Sequence, residues 1–261
     1  MSQFTHAFNT QYQNLVEQFA TRPRAAAATT TTVALSLSLL WVITDFNAWK
    51  SFGTGGTPPT WAGYWRMTKI RFNRLLLFGK DNLTDPTPLS TSGPAYLDAG
   101  EIEPREGDRP KLMSRTMPQR QVPYAKGTVD AGVEERTLKL IPSLAAKYPD
   151  LLELRPSKTE GGSTDAIYAK ESLATLNDKA KGGGMLGTEI AHAHPREGSL
   201  HVWLTQRDAR TVVEKGYGER FPLVFIDKGW TMVYAPRTQK EVDVVELIIK
   251  AGIANIAGVE V

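Results

Sequence analysis

EIAHAHPREGSLHVWL, from Glu189 to Leu204, contains two runs in which small or aliphatic residues alternate with histidines, joined by Pro195, Arg196, Glu197 and Gly198. A period of two predicts strands, and the proline and glycine between them predict a hairpin turn. If His194 stands opposite Ser199, then His192 faces His201 across the pair. Side chains alternate along a strand, so Ile190, His192, His194, Ser199, His201 and Trp203 share one face. Ala191, Ala193, Leu200, Val202 and Leu204 share the other. The small and aliphatic face belongs in a core, and the histidine face lines something else. Three of the chain's four histidines fall in this stretch.

The flanking sequence extends the pattern. Helices are predicted over Val133–Tyr148 and Ser172–Lys181, the second ended by Gly182, Gly183 and Gly184. Further strands are predicted near Leu151–Arg155, Thr164–Lys170 and Trp230–Ala235. Thr205 with Asp208, and Thr238 with Glu241, have capping-box spacing and open helices running to Lys215 and Ala251. Strands with interspersed helices and no regular βαβ alternation predict an α+β fold, a mostly antiparallel sheet with packed helices, over residues 132–261. The glycines of KGYG (Lys215–Gly218) read as a helix stop and not a phosphate cradle, because no strand leads into them and no helix opens after them.

Upstream, Ala25 to Thr44 has no charge and no proline over about the length that spans a bilayer, with Arg22 and Arg24 before it and Asp45 after it. A transmembrane helix over residues 25–44 is expected. The alternatives are a buried core helix and a cleaved targeting segment, since residues 1–44 hold one acidic residue before Asp45, Glu17. Residues 1–24 form an amphipathic segment with Phe4, Phe8, Tyr12, Leu15 and Phe19 at helical spacing. Residues 45–81 place Trp61, Tyr64, Trp65, Thr68, Phe72 and Leu76 beside Arg66, Lys69, Arg71 and Arg74, the composition of a helix lying among lipid headgroups. Orientation stays open: Arg22 and Arg24 favour a cytosolic N-terminus and the later basic run favours the reverse. Residues 82–131, punctuated by Pro86, Pro88, Pro94, Pro104, Pro110, Pro118 and Pro123, read as an irregular connection that wraps the domain.

Composition excludes several classes. With 41% hydrophobic and 23% charged residues among 261, the chain is not wholly disordered. A net charge of +3 lacks the basic stripe of a nucleic-acid binder, so no nucleic-acid partner is expected. The absence of cysteine removes disulfides, thiolate zinc sites, iron–sulfur clusters and cysteine nucleophiles.

Three readings of the histidine face remain. His192, His194 and His201 could bind a divalent metal such as Zn, Fe or Mn, since HxH on a strand with a third histidine is a common ligand arrangement. They could instead act without metal as base and hydrogen-bond donors towards an anionic substrate. Or the hairpin faces solvent and the histidines are accidental. Glu189 points to the other face by alternation and Glu197 sits in the turn, so neither decides. The functions these readings admit include a metal-dependent hydrolase or lyase and a module that binds a small metabolite without turning it over.

EIAHAH (Glu189–His194), SLHVWL (Ser199–Leu204), VVEKGYGERFPL (Val212–Leu223) and WTMVYAPRTQKEVDVVELIIKA (Trp230–Ala251) resemble, in order and spacing, the fungal bioluminescence luciferases and their non-luminous relatives. The N-terminal apolar segment before a variable connection is also similar to that family. The resemblance implies a small single-pass membrane enzyme, expected in the endoplasmic reticulum with membrane lipid as a partner. It would oxygenate a hydroxylated α-pyrone, or a similar polyphenol-like, enol-bearing metabolite, with O2 as cosubstrate and no organic cofactor, releasing CO2. His192, His194, His201, Arg220 and Arg237 are the implied catalytic set, with Ser199, Trp203, Tyr217, Phe221 and Tyr234 against the substrate. A neutral His192 or His201 would take the hydroxyl proton of the enol, and Arg237 or Arg220 would stabilise enolate and peroxide charge. Apart from this role, Arg220 could simply cap the preceding helix. Where luminous members carry Trp and His in Gly-Trp-Gly-x-Arg-His-Pro, this chain has Tyr217 and Phe221, and its hairpin turn is one residue shorter.

Overall fold

The computed structural model describes residues 2–77, 81–113 and 119–261, without the side chains of 2–5, 15, 18 and 74–77. The chain divides into two compact units, Met1–Ala48 and Trp49–Val261. In the first, α1 (Ser2–Thr21) gives way at Arg22 to α2 (Pro23–Phe52). Proline lacks the N–H that a first helical residue leaves unpaired anyway, so Pro23 starts a helix instead of breaking one. α2 overruns the expected apolar segment at both ends. Its apolar window is unburied, with Val33, Leu35, Leu37, Leu39, Leu40, Trp41 and Ile43 all exposed. The Ser38 and Thr44 hydroxyls donate to the carbonyls of Ala34 and Leu40, which satisfies them within the helix. By length and composition α2 can cross a membrane.

The last residues of α2 belong to the second unit, where the buried Trp49 packs on Tyr64 of α3 (Trp61–Leu77) with ring centroids 5.8 Å apart. α3 exposes Trp61, Trp65 and Phe72 of the aromatic face expected from sequence, but buries Tyr64 of that face together with Met67. The expectations resting on the side chains of Phe4, Leu15, Arg74 and Leu76, and on Pro118, fall outside the described residues.

The second unit is α+β, as expected. Strands β1 (Leu152–Pro156), β2 (Asp165–Ala169), β3 (Glu189–Ala193), β4 (Leu200–Trp203), β5 (Gly218–Arg220) and β6 (Trp230–Val233) form an antiparallel sheet in the order β1-β2-β3-β4-β6-β5. Helices α4 (Val133–Lys147) and α7 (Gln239–Ala257) cover one face. There Ala191, Ala193, Leu200 and Val202 join Val245, Ile248, Ile249 and Ile253 in the main core. A Cβ on Gly252 would lie 2.7 Å from Val202 Cγ1, so glycine at that point lets α7 approach the strands. Helix α6 (Gln206–Glu214) packs against β5 and β6. Both expected caps form: the Thr205 and Thr238 hydroxyls accept from the amides of Asp208 and Glu241.

Several local expectations are corrected. The helix expected over Ser172–Lys181 is only α5 (Asp178–Lys181), because Thr175 and Asn177 turn their side chains to the C-terminal carbonyls of α7, at Ala257 and Asn255. Strand β5 was not foreseen, since three residues are too few to show a period. α7 continues past Ala251 and stops at Gly258, which takes the left-handed conformation at φ 72°. Ile190 leaves the histidine face: Ile167 pairs with Ala191 but Tyr168 with Glu189, a slip of one residue. That slip sends Ile190 into the core beside Gly252 and brings Glu189 round to the histidines.

The unit holding the sheet also starts upstream of Gly132, because its helices cover one face and the other needs a cover too. The 81–113 and 119–131 stretches form no helix or named strand, only a bridge between Leu112 and Gln121. They bond to the sheet and α6: Asp208 accepts from the amides of Tyr96 and Leu97, Arg109 donates to the carbonyls of Val213 and Gly218, and Gln121 accepts from the amide of Ala235.

Candidate functional site

The hairpin forms in the register expected: His192 pairs with His201, and the amide of His194 bonds the carbonyl of Ser199 at 2.8 Å. The solvent-facing reading is overturned, because His192, His194 and His201 are only 0%, 1% and 4% exposed. Their rings converge. His192 Nε2 lies 3.3 Å from His194 Nε2 and 3.2 Å from His201 Nδ1. Glu160, from the β1–β2 loop, brings Oε1 to 3.5 Å from His194 Nε2 and 3.7 Å from His192 Nε2. Trp230 stacks on His201 at 5.7 Å between centroids, and Phe221 meets the same ring edge-on at 5.3 Å.

Carboxylates fix the outward sides of two rings. His192 Nδ1 is 2.8 Å from Glu189 Oε1, and His194 Nδ1 is 2.8 Å from Ser199 Oγ and 3.2 Å from Glu197 Oε1. Glu189 also accepts from the hydroxyls of Ser157, Thr159 and Tyr168 and from the amides of Lys158 and Thr159. Arg120 grips Glu197 with two bonds of 2.7 and 2.9 Å and stands 3.6 Å from Glu160. The third ring differs, for among the described residues buried His201 Nε2 has no hydrogen-bond partner.

Burial alone would raise the carboxyl pKa values, but the bonds outweigh it. Hydrogen bonds from His192, Thr159 and Ser157 bring Glu189 down to about 2, and His194, His192 and Arg120 bring Glu160 down to about 2. Glu197 is lowered by His194 and Arg120 against the same penalty. For His194 burial is outweighed by Glu160 and Glu197, so its pKa rises. His201 has no carboxylate against it, and burial and the neighbouring positive charges hold its pKa well below the ordinary imidazole value.

The remaining expected residues divide between two places. Ser199 and Phe221 touch the imidazoles. Trp203 is buried opposite Trp230 in the ladder. Tyr234 donates to Glu219 at 3.2 Å beneath Arg105 and Arg109, and Tyr217 is buried, its pKa raised by that burial and by the charge of Glu241. Arg220 and Arg237, expected in the catalytic set, are engaged elsewhere. Arg220 pairs with Thr231 in the ladder, on the opposite face of β5 from Glu219, and clamps Asp81, Asn82 and Asp85. It does not cap α6. Arg237 bonds Glu241 and the carbonyl of Glu106. Sequence reasoning missed Glu160, Arg120 and Trp230. The only local hint at Glu160 was the Gly161-Gly162 pair that follows it, both at positive φ.

A family model described as "Luciferase domain" matches residues 187–252, the stretch that carries all three imidazoles, Glu189, Glu197, Phe221 and Trp230. Over 244 residues, 89% of this chain and 88% of the relative, it is 31% identical to "Luciferase" from Armillaria gallica. The chain belongs to the fungal luciferase family. Two further luciferases, from Armillaria mellea and Neonothopanus nambi, are 36% and 33% identical over 165 and 162 residues, which cover 60% and 58% of their lengths. No solved structure matches. At the level of the family, membership fits a luciferase-like oxidoreductase that uses O2 on a small molecule.

Proposed function

We propose that this chain is a membrane-anchored, luciferase-like oxygenase that oxidises a hydroxylated α-pyrone, or a similar enol-bearing aromatic metabolite, with O2 and releases CO2. The observation that carries the reading is the buried imidazole–carboxylate cluster inside the segment shared with the luciferases, walled by Trp230 and Phe221. Such a site suits an aromatic enol. The partly exposed ring of Phe221 offers apolar surface beside His201, and the dry surroundings strengthen every polar contact to a developing enolate. His201 Nε2, which has no hydrogen-bond partner among the described residues, is the nitrogen left for a substrate oxygen. A neutral imidazole of the cluster takes the hydroxyl proton and leaves an enolate rich enough to pass an electron to O2, with no organic cofactor required. Arg120, and not Arg220 or Arg237, is the stabilising cation, because its guanidinium is the one in contact with the cluster.

O2 uptake and CO2 release are measured with a panel of hydroxypyrones, 3-hydroxyhispidin among them, and of catechols. Turnover of a hydroxypyrone with a loss of at least about a hundredfold in His201→Ala fits the reading. No uptake with any member of the panel refutes it. The convergence of four ligand-type atoms favours a second reading, a metal-dependent hydrolase or lyase, which would cleave substrate without consuming O2. A module that only binds a metabolite has no need of three buried imidazoles.

A further inference from the structure

We propose that Glu160, His192, His194 and His201 are the ligands of one divalent first-row transition ion. One donor atom from each lies within 4.8 Å of all the others. Four of the six separations, at 3.2, 3.3, 3.5 and 3.7 Å, lie close to the roughly 3.3–3.6 Å that bonds of about 2.0–2.2 Å in tetrahedral directions put between ligands on one ion.

The proton arrangement points the same way. A carboxylate only accepts, so Glu189 keeps the hydrogen of His192 on Nδ1, and Glu197 does the same for His194. Both Nε2 atoms then carry bare lone pairs aimed at each other across 3.3 Å. Without a proton or a cation between them that contact is repulsive. Carboxylate–imidazole pairs of this kind are the usual outer support of a metal-bound histidine, fixing tautomer and ring direction. His201 turns Nδ1 into the same point and leaves Nε2 on its far side, with no hydrogen-bond partner among the described residues. A ligand bond at Nδ1 puts its hydrogen on Nε2, where it can donate to a substrate oxygen.

Charge supplies a third argument. Glu160, Glu189 and Glu197 bring three negative charges into a closed space against the one guanidinium of Arg120. With the imidazoles neutral two negative charges are left over, and a proton on His194 would offset only one of them, so a buried excess remains that calls for compensation. A divalent ion balances it. The donor set names the class: three imidazole nitrogens and one carboxylate oxygen suit Zn(II), Fe(II), Mn(II) or Co(II), whereas Mg(II) and Ca(II) prefer all-oxygen shells. When bound, such an ion supplies positive charge where an enolate oxygen would form.

The inference goes beyond the oxygenase reading and survives its failure, because occupancy is read without turnover. Full-length protein in detergent is stripped with a chelator, freed of it, and titrated with Co(II) and Zn(II) while elemental analysis counts bound ions. The result expected is about one ion per chain, visible Co(II) ligand-field bands, hyperfine-shifted signals from three imidazole rings, and a higher unfolding midpoint on refilling. The His6→Ala variant, altered at the exposed fourth histidine, binds the same amount, and Glu160→Gln with His194→Ala binds under about a tenth. Folded wild-type chain that binds under a tenth of an equivalent of each ion overturns the proposal, as does a Co(II) spectrum without imidazole signals. The spectrum of the wild type decides the case if the double variant does not fold.

Discussion

Replacing Arg120 with methionine tests whether the 119–131 stretch is part of the site or merely crosses it. Arg120 holds both oxygens of Glu197, at 2.7 and 2.9 Å, and stands 3.6 Å from Glu160. The three side chains are 5%, 0% and 6% exposed, so solvent cannot take over when the guanidinium goes. Methionine keeps much of the apolar stem and removes the charge. Taking one partner from a buried pair leaves an uncompensated ion and costs about 3–5 kcal/mol. For a unit of this size about 1 kcal/mol moves the midpoint by about 2–4 °C, so the loss is roughly 6–20 °C. Adding Glu197→Gln removes the stranded charge while keeping an acceptor for the Ser199 hydroxyl, which Glu197 bonds at 3.0 Å. The double variant is therefore expected to recover at least about 2 kcal/mol of the single variant's loss. Urea unfolding followed by tryptophan fluorescence measures both, with Trp230 stacked on the site as an internal reporter. A loss under about 1 kcal/mol for Arg120→Met, the range of an exposed ion pair, would refute the reasoning, and so would strictly additive losses in the double variant.

Four further outcomes are expected. The full chain sediments with membranes, and removal of residues 1–44 releases it folded, whereas a cut after residue 52 also takes the buried Trp49 and Phe52 and yields aggregate; intact protein in the soluble fraction at high salt would count against the membrane helix. Arg237→Ala, which breaks a clamp to Glu241 remote from the imidazoles, lowers the unfolding midpoint but keeps kcat within about tenfold, and a hundredfold loss in kcat at unchanged KM would return Arg237 to the catalytic set. With 3-hydroxyhispidin the wild type gives no useful light and Phe221→His, beside His201, raises emission by about two to three orders of magnitude, the worth of one transition-state hydrogen bond; bright wild-type emission contradicts this. Burial holds the Asp208 carboxyl above its ordinary 3.8 against the amides of Leu97 and Tyr96, so the unfolded chain loses this proton first and the stability of wild type relative to Asp208→Asn falls as pH rises through and above 3.8; urea unfolding between pH 3 and 7 checks it, and a difference that grows with pH has the wrong sign.

Local geometry explains what the sequence determined by itself. The pairing of His192 with His201 follows from alternation about a short turn, and the starts of α6 and α7 follow from a hydroxyl three residues before an amide. That α2 is long and apolar enough to cross a membrane follows from the uncharged run of residues 25–44, although its two ends do not. Each depends on neighbours within a few positions, where strand and helix periods act. What tertiary structure decided lies at long range. Arg120 meets Glu197 across 77 positions, and Glu189 meets Ser157 across 32. Strict alternation puts Glu189 on the core face. Only a slipped residue between β2 and β3 turns it to His192, and that slip depends on the partner strand. Glu160 reaches the rings because the β1–β2 loop turns on Gly161 and Gly162, and no spacing in one dimension records where a loop lands. The burial of the histidine face was equally hidden, since a sheet has two faces and the cover of the second comes from residues whose own sequence shows no period at all.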